Sequence, residues 1–245
     1  MFLLLPPSET KTRPGIGPVL DLDALAHPAL TAPRATVLRA AERTARSRGA
    51  AGSLKVPASA PELVERMAAI TAEPCAPALE VYAGVLYDAL GDARGDAERT
   101  VLVTSALLGV VDADSDRIPA YRLSAGSVLS RLGAAGAWWR SRLAPIAREL
   151  AGSGRVVVDC RSGAYRSMMP VPGAIEVAAV RERDGKRTVV SHDAKRYRGL
   201  LGRALLTTER APADAEEVAH AGAGALGDGL AIELQGTTLT VVDRG

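Results

Sequence analysis

Three short apolar runs constrain this chain more than any other feature: Phe2-Leu3-Leu4-Leu5, Val101-Leu102-Val103-Thr104-Ser105 and Arg155-Val156-Val157-Val158-Asp159. None alternates polar with apolar residues. Each therefore reads as a strand buried on both faces, the pattern of central strands in a sheet covered by helices. Each run also stops in a cluster of polar groups. Pro6 and Pro7 end the first, because proline cannot donate to a sheet ladder, and Ser8, Glu9, Thr10 and Lys11 follow at once. The second ends on Ser105, the third on Asp159-Cys160-Arg161-Ser162-Gly163-Ala164-Tyr165. Separate strands delivering short polar groups at their carboxyl ends is how α/β sheets assemble one ligand site.

The segments between these runs carry helical and hairpin signals. Helices are predicted over 35–47, 60–72, 77–90 and 136–150, and a basic helix over 192–206. Residues 175–183 and 187–191 flank Asp184-Gly185 and read as a hairpin, and 231–242 as a second one. Residues 118–125 read as extended. No internal repeat or long linker divides the chain. The expectation is a single mixed α/β domain over residues 1–245, with a mixed sheet flanked by helices.

Composition narrows the function classes. A chain of 245 residues, 47% apolar, can bury a sizeable core and is not disordered. Its net charge of +2 is too small to demand a nucleic-acid or membrane partner. Cys75 and Cys160 match no zinc spacing and cannot form a disulfide framework, so they read as free thiols of a reducing compartment. No apolar stretch is long enough to span a membrane. The four-residue apolar run at the start, with no basic segment before it, is not a signal peptide. A cytoplasmic location is expected, with no cofactor and no metal.

A fourth polar cluster, His192-Asp193-Ala194-Lys195-Arg196-Tyr197-Arg198-Gly199, opens the basic helix. A solvated basic face is the ordinary reading of such a run. A helix start whose free amide groups favour anions makes Lys195 and Arg198 candidate phosphate ligands instead. His192 is the best placed of three histidines. Asp159 and Arg161 alternate at a strand end, so both point to one face. They form either a structural ion pair or a site carboxylate oriented by an arginine, with Tyr165 and Ser162 nearby. Tyr121-Arg122 is either a packed ring beside a surface arginine, or a stacking face and a forked phosphate donor. Ser8, Lys11 and Ser105 complete the candidate set.

In the order in which they occur, these motifs resemble the YaaA family, in its actinobacterial branch. The resemblance rests on Leu5-Pro6-Pro7-Ser8-Glu9-Thr10-Lys11, Tyr82-Ala83-Gly84-Val85-Leu86-Tyr87, Ser105-Ala106-Leu107-Leu108-Gly109, Ile118-Pro119-Ala120-Tyr121-Arg122-Leu123, Asp159 to Tyr165, and Val190 to Lys195 with Gly199. It implies one mixed α/β domain with a curved sheet, a positively charged cleft and a helix-hairpin-helix-like element. It also implies DNA binding and a part in limiting oxidative DNA damage under hydrogen peroxide stress. The chain departs from the family twice. The hairpin element would fall around 35–70, where residues 48–55 are only a loose match. Asp193-Ala194 stands where actinobacterial relatives usually carry Phe-Asn, and the added carboxylate would weaken an anion site.

Two functional readings follow. In one, the protein is a peroxide-stress protein whose basic cleft takes DNA or nucleotide phosphate, with the arginines of 34–48 and 195–203 as contacts. In the other it is an enzyme of lyase or N-glycosidic hydrolase type, acting on a phosphate- or nucleobase-containing small molecule. There Asp159 would be the base or cation stabiliser, Lys195 and Arg161 phosphate contacts, and Tyr121 and Tyr165 stacking or acid groups. The sequence leaves the oligomeric state open.

Overall fold

The computed structural model describes residues 1–190, 193–227 and 229–245. The chain opens with β1 (Phe2–Leu5) and passes through α1 (Thr31–Ala45), α2 (Ala50–Leu54), α3 (Glu62–Ala68), β2 (Cys75–Pro77), α4 (Ala78–Val81) and α5 (Val85–Leu90). Strands β3 (Thr100–Ser105), β4 (Gly109–Asp112), β5 (Arg117–Pro119), β6 (Val128–Leu129) and β7 (Gly133–Ala134) lead to the long helix α6 (Ala135–Gly152). Then come β8 (Val157–Asp159), α7 (Gly163–Met168), β9 (Ile175–Arg183), β10 (Lys186–Val189), α8 (Asp193–Thr207), α9 (Ala215–Ala225), β11 (Leu230–Gln235) and β12 (Thr238–Asp243).

The three apolar runs lie side by side. The main sheet has eight strands in the order β11-β12-β9-β8-β1-β3-β4, with β10 on β9. From β3 across β1, β8 and β9 to β12 the strands are parallel, and β4, β10 and β11 pair antiparallel, so the sheet is mixed. In register, Leu4 faces Leu102 on one side and Asp159 on the other. The carboxyl ends of β1, β3 and β8 therefore coincide, which brings three of the polar clusters to one sheet edge. Leu3, Leu4, Leu5, Val101, Val103 and Val158 are fully buried, as non-alternating runs require.

Helices cover the sheet through an aliphatic core in which Trp139 is the largest fully buried side chain. Its Nε1 donates to the Ala106 carbonyl at 2.9 Å. A Cβ on Gly109 would lie 2.8 Å from the indole ring, at a φ of +78° that already favours glycine. The turn between β9 and β10 has positive φ at both Asp184 (49°) and Gly185 (71°), the backbone that an Asp-Gly hairpin adopts.

The helix expected over 77–90 is two short ones. The chain leaves the helical region at Tyr82 and crosses Gly84 at φ 95°, ψ −178°, a conformation open only to glycine. The loose hairpin match over 48–55 forms the five-residue helix α2. Helix α8 comes closest to α5 at Gly199, where a Cβ would lie 2.2 Å from the Leu86 carbonyl oxygen. Among the described residues no helix is long and apolar enough to cross a membrane.

Candidate functional site

The segment after β1 is clamped onto the link between α4 and α5. Lys11 bridges antiparallel to Tyr82, and Thr12 N–H donates to the Val81 carbonyl at 2.9 Å. The Tyr87 hydroxyl donates to the Pro6 carbonyl at 2.7 Å. Ser8 Oγ accepts from Ala83 N–H at 3.1 Å and donates to the Thr10 carbonyl at 2.5 Å. Two prolines and these bonds fix Pro6 to Thr10 as one wall of a cavity of about 590 Å³.

The other walls come from distant parts of the chain: Lys55 just after α2, Gly84 and the first turn of α5 to Tyr87, Arg122 to Gly126, Ser162 with Ala164 and Tyr165 at the start of α7, and Lys195 on α8. Lys195 lies one turn before Gly199 on the α8 face against α5, which carries it to the rim. The Arg122 guanidinium is held by the Lys55 carbonyl (Nη2 at 2.9 Å, Nε at 3.1 Å) and by the Glu9 carboxylate at 3.4 Å. Lys55 itself has φ 57°, and its ammonium packs where a Cβ on Gly126 would sit, 2.6 Å away. Three cationic side chains thus line the cavity, and Glu9 is the one carboxylate among its described lining residues.

Behind this wall lies Lys11. Its Nζ donates to the Ser8 carbonyl at 2.5 Å and sits over the ring of Tyr121 (4.0 Å to the centroid) and that of Tyr82 (5.3 Å). Burial, with Arg122 adding and Glu9 opposing, pulls the amine down to about 7. The rings are fixed from beneath by a chain of hydroxyls: Tyr82 to Tyr121 at 3.1 Å, then Tyr121 to Ser105 at 2.8 Å. Ser105 Oγ also accepts from the N–H groups of Leu107 (3.3 Å) and Leu108 (3.0 Å). Burial pushes both tyrosine hydroxyls well above their ordinary value, so they stay protonated. Tyr165 is raised to about 12, again chiefly by burial.

Of the residues singled out from sequence, Ser8, Arg122, Ser162, Tyr165 and Lys195 line the cavity. Lys11, Tyr121 and Ser105 stand in a second layer behind it. Tyr121 is buried and bonded at its hydroxyl, so its ring supports Lys11 and has no open face for a base.

Asp159 and Arg161 do not line the cavity. Arg161 is fully buried. Its Nε meets Asp159 Oδ1 at 2.8 Å, its Nη2 meets Oδ2 at 2.6 Å, and its remaining donors go to Thr104 Oγ1 (3.1 Å) and the Met169 carbonyl (2.9 Å). Of the two readings for this pair, the geometry is that of a structural ion pair tying β8 to β3 and to the end of α7. Arg198 donates to the Val177 carbonyl (3.2 Å) and is held below the ordinary arginine range by burial. Arg34 is fully buried, donating to the carbonyls of Leu108 (3.0 Å) and Val110 (2.7 Å), and belongs to the core. The Asp193 carboxylate accepts from Arg181 at 2.7 Å. His192 lies outside the described residues.

Sequence reasoning missed Lys55. Residues 48–55 match a hairpin only loosely, and nothing in their sequence signals that a short helix will end at Lys55 in a left-handed residue. Among the described residues there is no cluster of three or more metal-ligating side chains.

A mixed α/β protein with a cationic cavity at the carboxyl ends of its central parallel strands is the class that fold and site define. The chain belongs to the family described as peroxide stress protein YaaA, whose model matches residues 1–222. A UPF0246 protein of Corynebacterium efficiens is 38% identical over 259 residues, covering 99% of this chain and all of the relative. One from Streptomyces coelicolor is 39% identical over 242 residues, covering 90% of this chain and 88% of the relative. A third, from Corynebacterium glutamicum, is 38% identical over 229 residues, covering 89% of this chain and 90% of the relative.

Proposed function

We propose that the cavity binds the phosphate of a nucleotide-sized ligand, and that the protein serves peroxide stress through this binding. The observation that carries the reading is the convergence of Lys55, Arg122 and Lys195, from three separate parts of the chain, on a cavity of about 590 Å³ whose described lining holds one carboxylate. Forked and point-charge donors around one space suit a phosphate ester. The volume falls within the ordinary range for small-ligand sites and suits one nucleotide better than a duplex. The family's description supplies the setting of peroxide stress. Direct thiol chemistry with peroxide is a poor alternative, because burial pushes Cys75 up to about 11 and Cys160 up to about 12.

The test is calorimetry with AMP, adenosine and a short DNA duplex at two salt concentrations. Lys195 is exposed, so Lys195→Ala leaves the fold intact. The reading expects AMP to bind more tightly than adenosine, with Lys195→Ala weakening AMP by about 1.5–3 kcal/mol, the scale of a charge-assisted hydrogen bond. Equal affinity for AMP and adenosine rejects a phosphate site. Duplex binding with no AMP binding replaces the nucleotide reading by a DNA-binding one.

A further inference from the structure

We propose that two copies of this chain join through β11, each laying its edge strand antiparallel to the other's to make one continuous sheet. The inference is independent of the phosphate cavity, since no residue of β11 lines it.

The geometry points this way because the free edges of the main sheet are treated differently. At the β4 end the fully buried Arg34 of α1 donates to the Leu108 and Val110 carbonyls, at 3.0 and 2.7 Å. Strand β10 is four residues long and exposed, and Lys186 and Arg187 guard it with charge. Strand β11 ends the sheet on the other side with six residues, Leu230-Ala231-Ile232-Glu233-Leu234-Gln235, and has no proline or lysine. The direction of its backbone groups follows from its neighbours. Glu176 N–H donates to the Thr237 carbonyl at 2.8 Å, so odd-numbered residues of β12 turn their N–H and C=O groups to β9 and even-numbered ones to β11. Thr240 faces Glu233. Ala231, Glu233 and Gln235 therefore bond to β12, and the N–H and C=O groups of Leu230, Ile232 and Leu234 point off the sheet. Among the described residues nothing bonds to them. An edge with open groups and no guard is a template for a further strand.

The side chains select a second copy as that strand. Leu230, Ile232 and Leu234 share one face and are only partly buried there, with Ile232 Cδ1 2.9 Å from where a Cβ on Gly222 of α9 would sit. On the opposite face Glu233 accepts from both Arg187 Nη groups at 2.7 Å, so its charge is already matched. An antiparallel copy with the twofold axis beside Ile232 sets Ile232 against Ile232 and Leu230 against the second copy's Leu234. That extends the apolar face without a break, while Glu233 meets only the second copy's Ala231. Centring the axis on Glu233 instead would bring the two carboxylates face to face, which is unfavourable. The strand thus complements itself in one register.

Light scattering on the full chain from about 2 to about 200 µM, beside Ile232→Pro, tests this. Proline at 232 removes an N–H that points away from β12, so it blocks the new pairing and leaves the hairpin bonded. Wild type should rise with concentration from the monomer mass to twice that mass, and Ile232→Pro should weaken the dimer at least about tenfold with an unchanged circular dichroism spectrum. A spin label on Gln235→Cys gives a second reading that needs no proline, since Gln235 is exposed and both native cysteines are buried. The twofold axis beside Ile232 puts the two labelled Cα atoms about 20 Å apart, six residue steps along the paired strands. A chain that stays monomeric at every concentration overturns the inference and leaves the edge to a strand of another protein. A dimer that a folded Ile232→Pro does not weaken, or whose labels lie well beyond about 30 Å, also overturns it, because its interface lies elsewhere.

Discussion

Replacing Lys11 with Met removes the amine and keeps most of the stem, and it should change the pH dependence of stability in one direction. An ordinary lysine titrates near 10.5 and Lys11 near 7. At about 1.4 kcal/mol per tenfold change in proton affinity, the whole difference corresponds to about 5 kcal/mol. The tyrosine faces favour the ammonium by about 0.5–2 kcal/mol, which leaves about 3–4 kcal/mol. Below the folded value both folded and unfolded chains carry the proton, and the folded state bears the full cost of a buried ammonium. Between the two values the folded amine is free while the unfolded one stays charged, so wild-type stability rises with pH. Above the unfolded value the contribution vanishes. Urea unfolding of both proteins at about pH 6.5 and about pH 9.5 should therefore show wild type gaining about 2–3 kcal/mol on Lys11→Met. Loss of the bond to Ser8 offsets the two curves equally at both pH values and does not affect the comparison. A wild-type-to-variant difference that is flat across this range would refute the account of Lys11.

Other parts of the structure make separate demands. Arg161→Met takes the two close donors from the buried Asp159 carboxylate, leaving Arg166 Nε at 3.8 Å, and should cost about 3–5 kcal/mol in denaturant unfolding, whereas a site arginine would lose ligand affinity with little loss of stability. Cys75 and Cys160 should resist hydrogen peroxide and thiol reagents in the native protein and react on unfolding. Rapid native labelling, read by mass spectrometry, would contradict their burial. Gly126→Ala puts a methyl where the Lys55 ammonium lies, 2.6 Å from it, and should displace that flexible end. The expected result is AMP binding weakened by about 0.5–1.5 kcal/mol with the melting temperature nearly unchanged.

Much of the fold was legible because its central strands are apolar without alternation, and such runs have few other uses. Leu3 to Leu5, Val101 to Val103 and Val157-Val158 gave both the strands and their central place, and Asp184-Gly185 gave a hairpin whose turn needs positive φ twice. Of the polar residues after those strands, Ser8, Ser162 and Tyr165 line the cavity, but the sequence does not show each residue's task. Asp159 and Arg161 read equally well as chemistry or as an ion pair, since only the third dimension places Thr104 and the Met169 carbonyl around the guanidinium. Lys11 read as a plain cation because its tyrosine bed comes from residues 82 and 121, far away in sequence. Lys55 was invisible because its position depends on a left-handed turn and on Arg122 holding its carbonyl. The arginine at 34 was misplaced because a guanidinium with backbone acceptors can be buried as completely as a leucine.

The central claim is that Lys55, Arg122 and Lys195 surround a phosphate. Its most direct test is a crystal structure of the full chain grown with AMP. The account predicts phosphate density inside the cavity, with oxygens within about 3 Å of Arg122 and Lys195 and the Lys55 ammonium turned toward them. A nucleotide lodged elsewhere on the surface, or a cavity still holding only solvent at a concentration where calorimetry shows AMP bound, would contradict it.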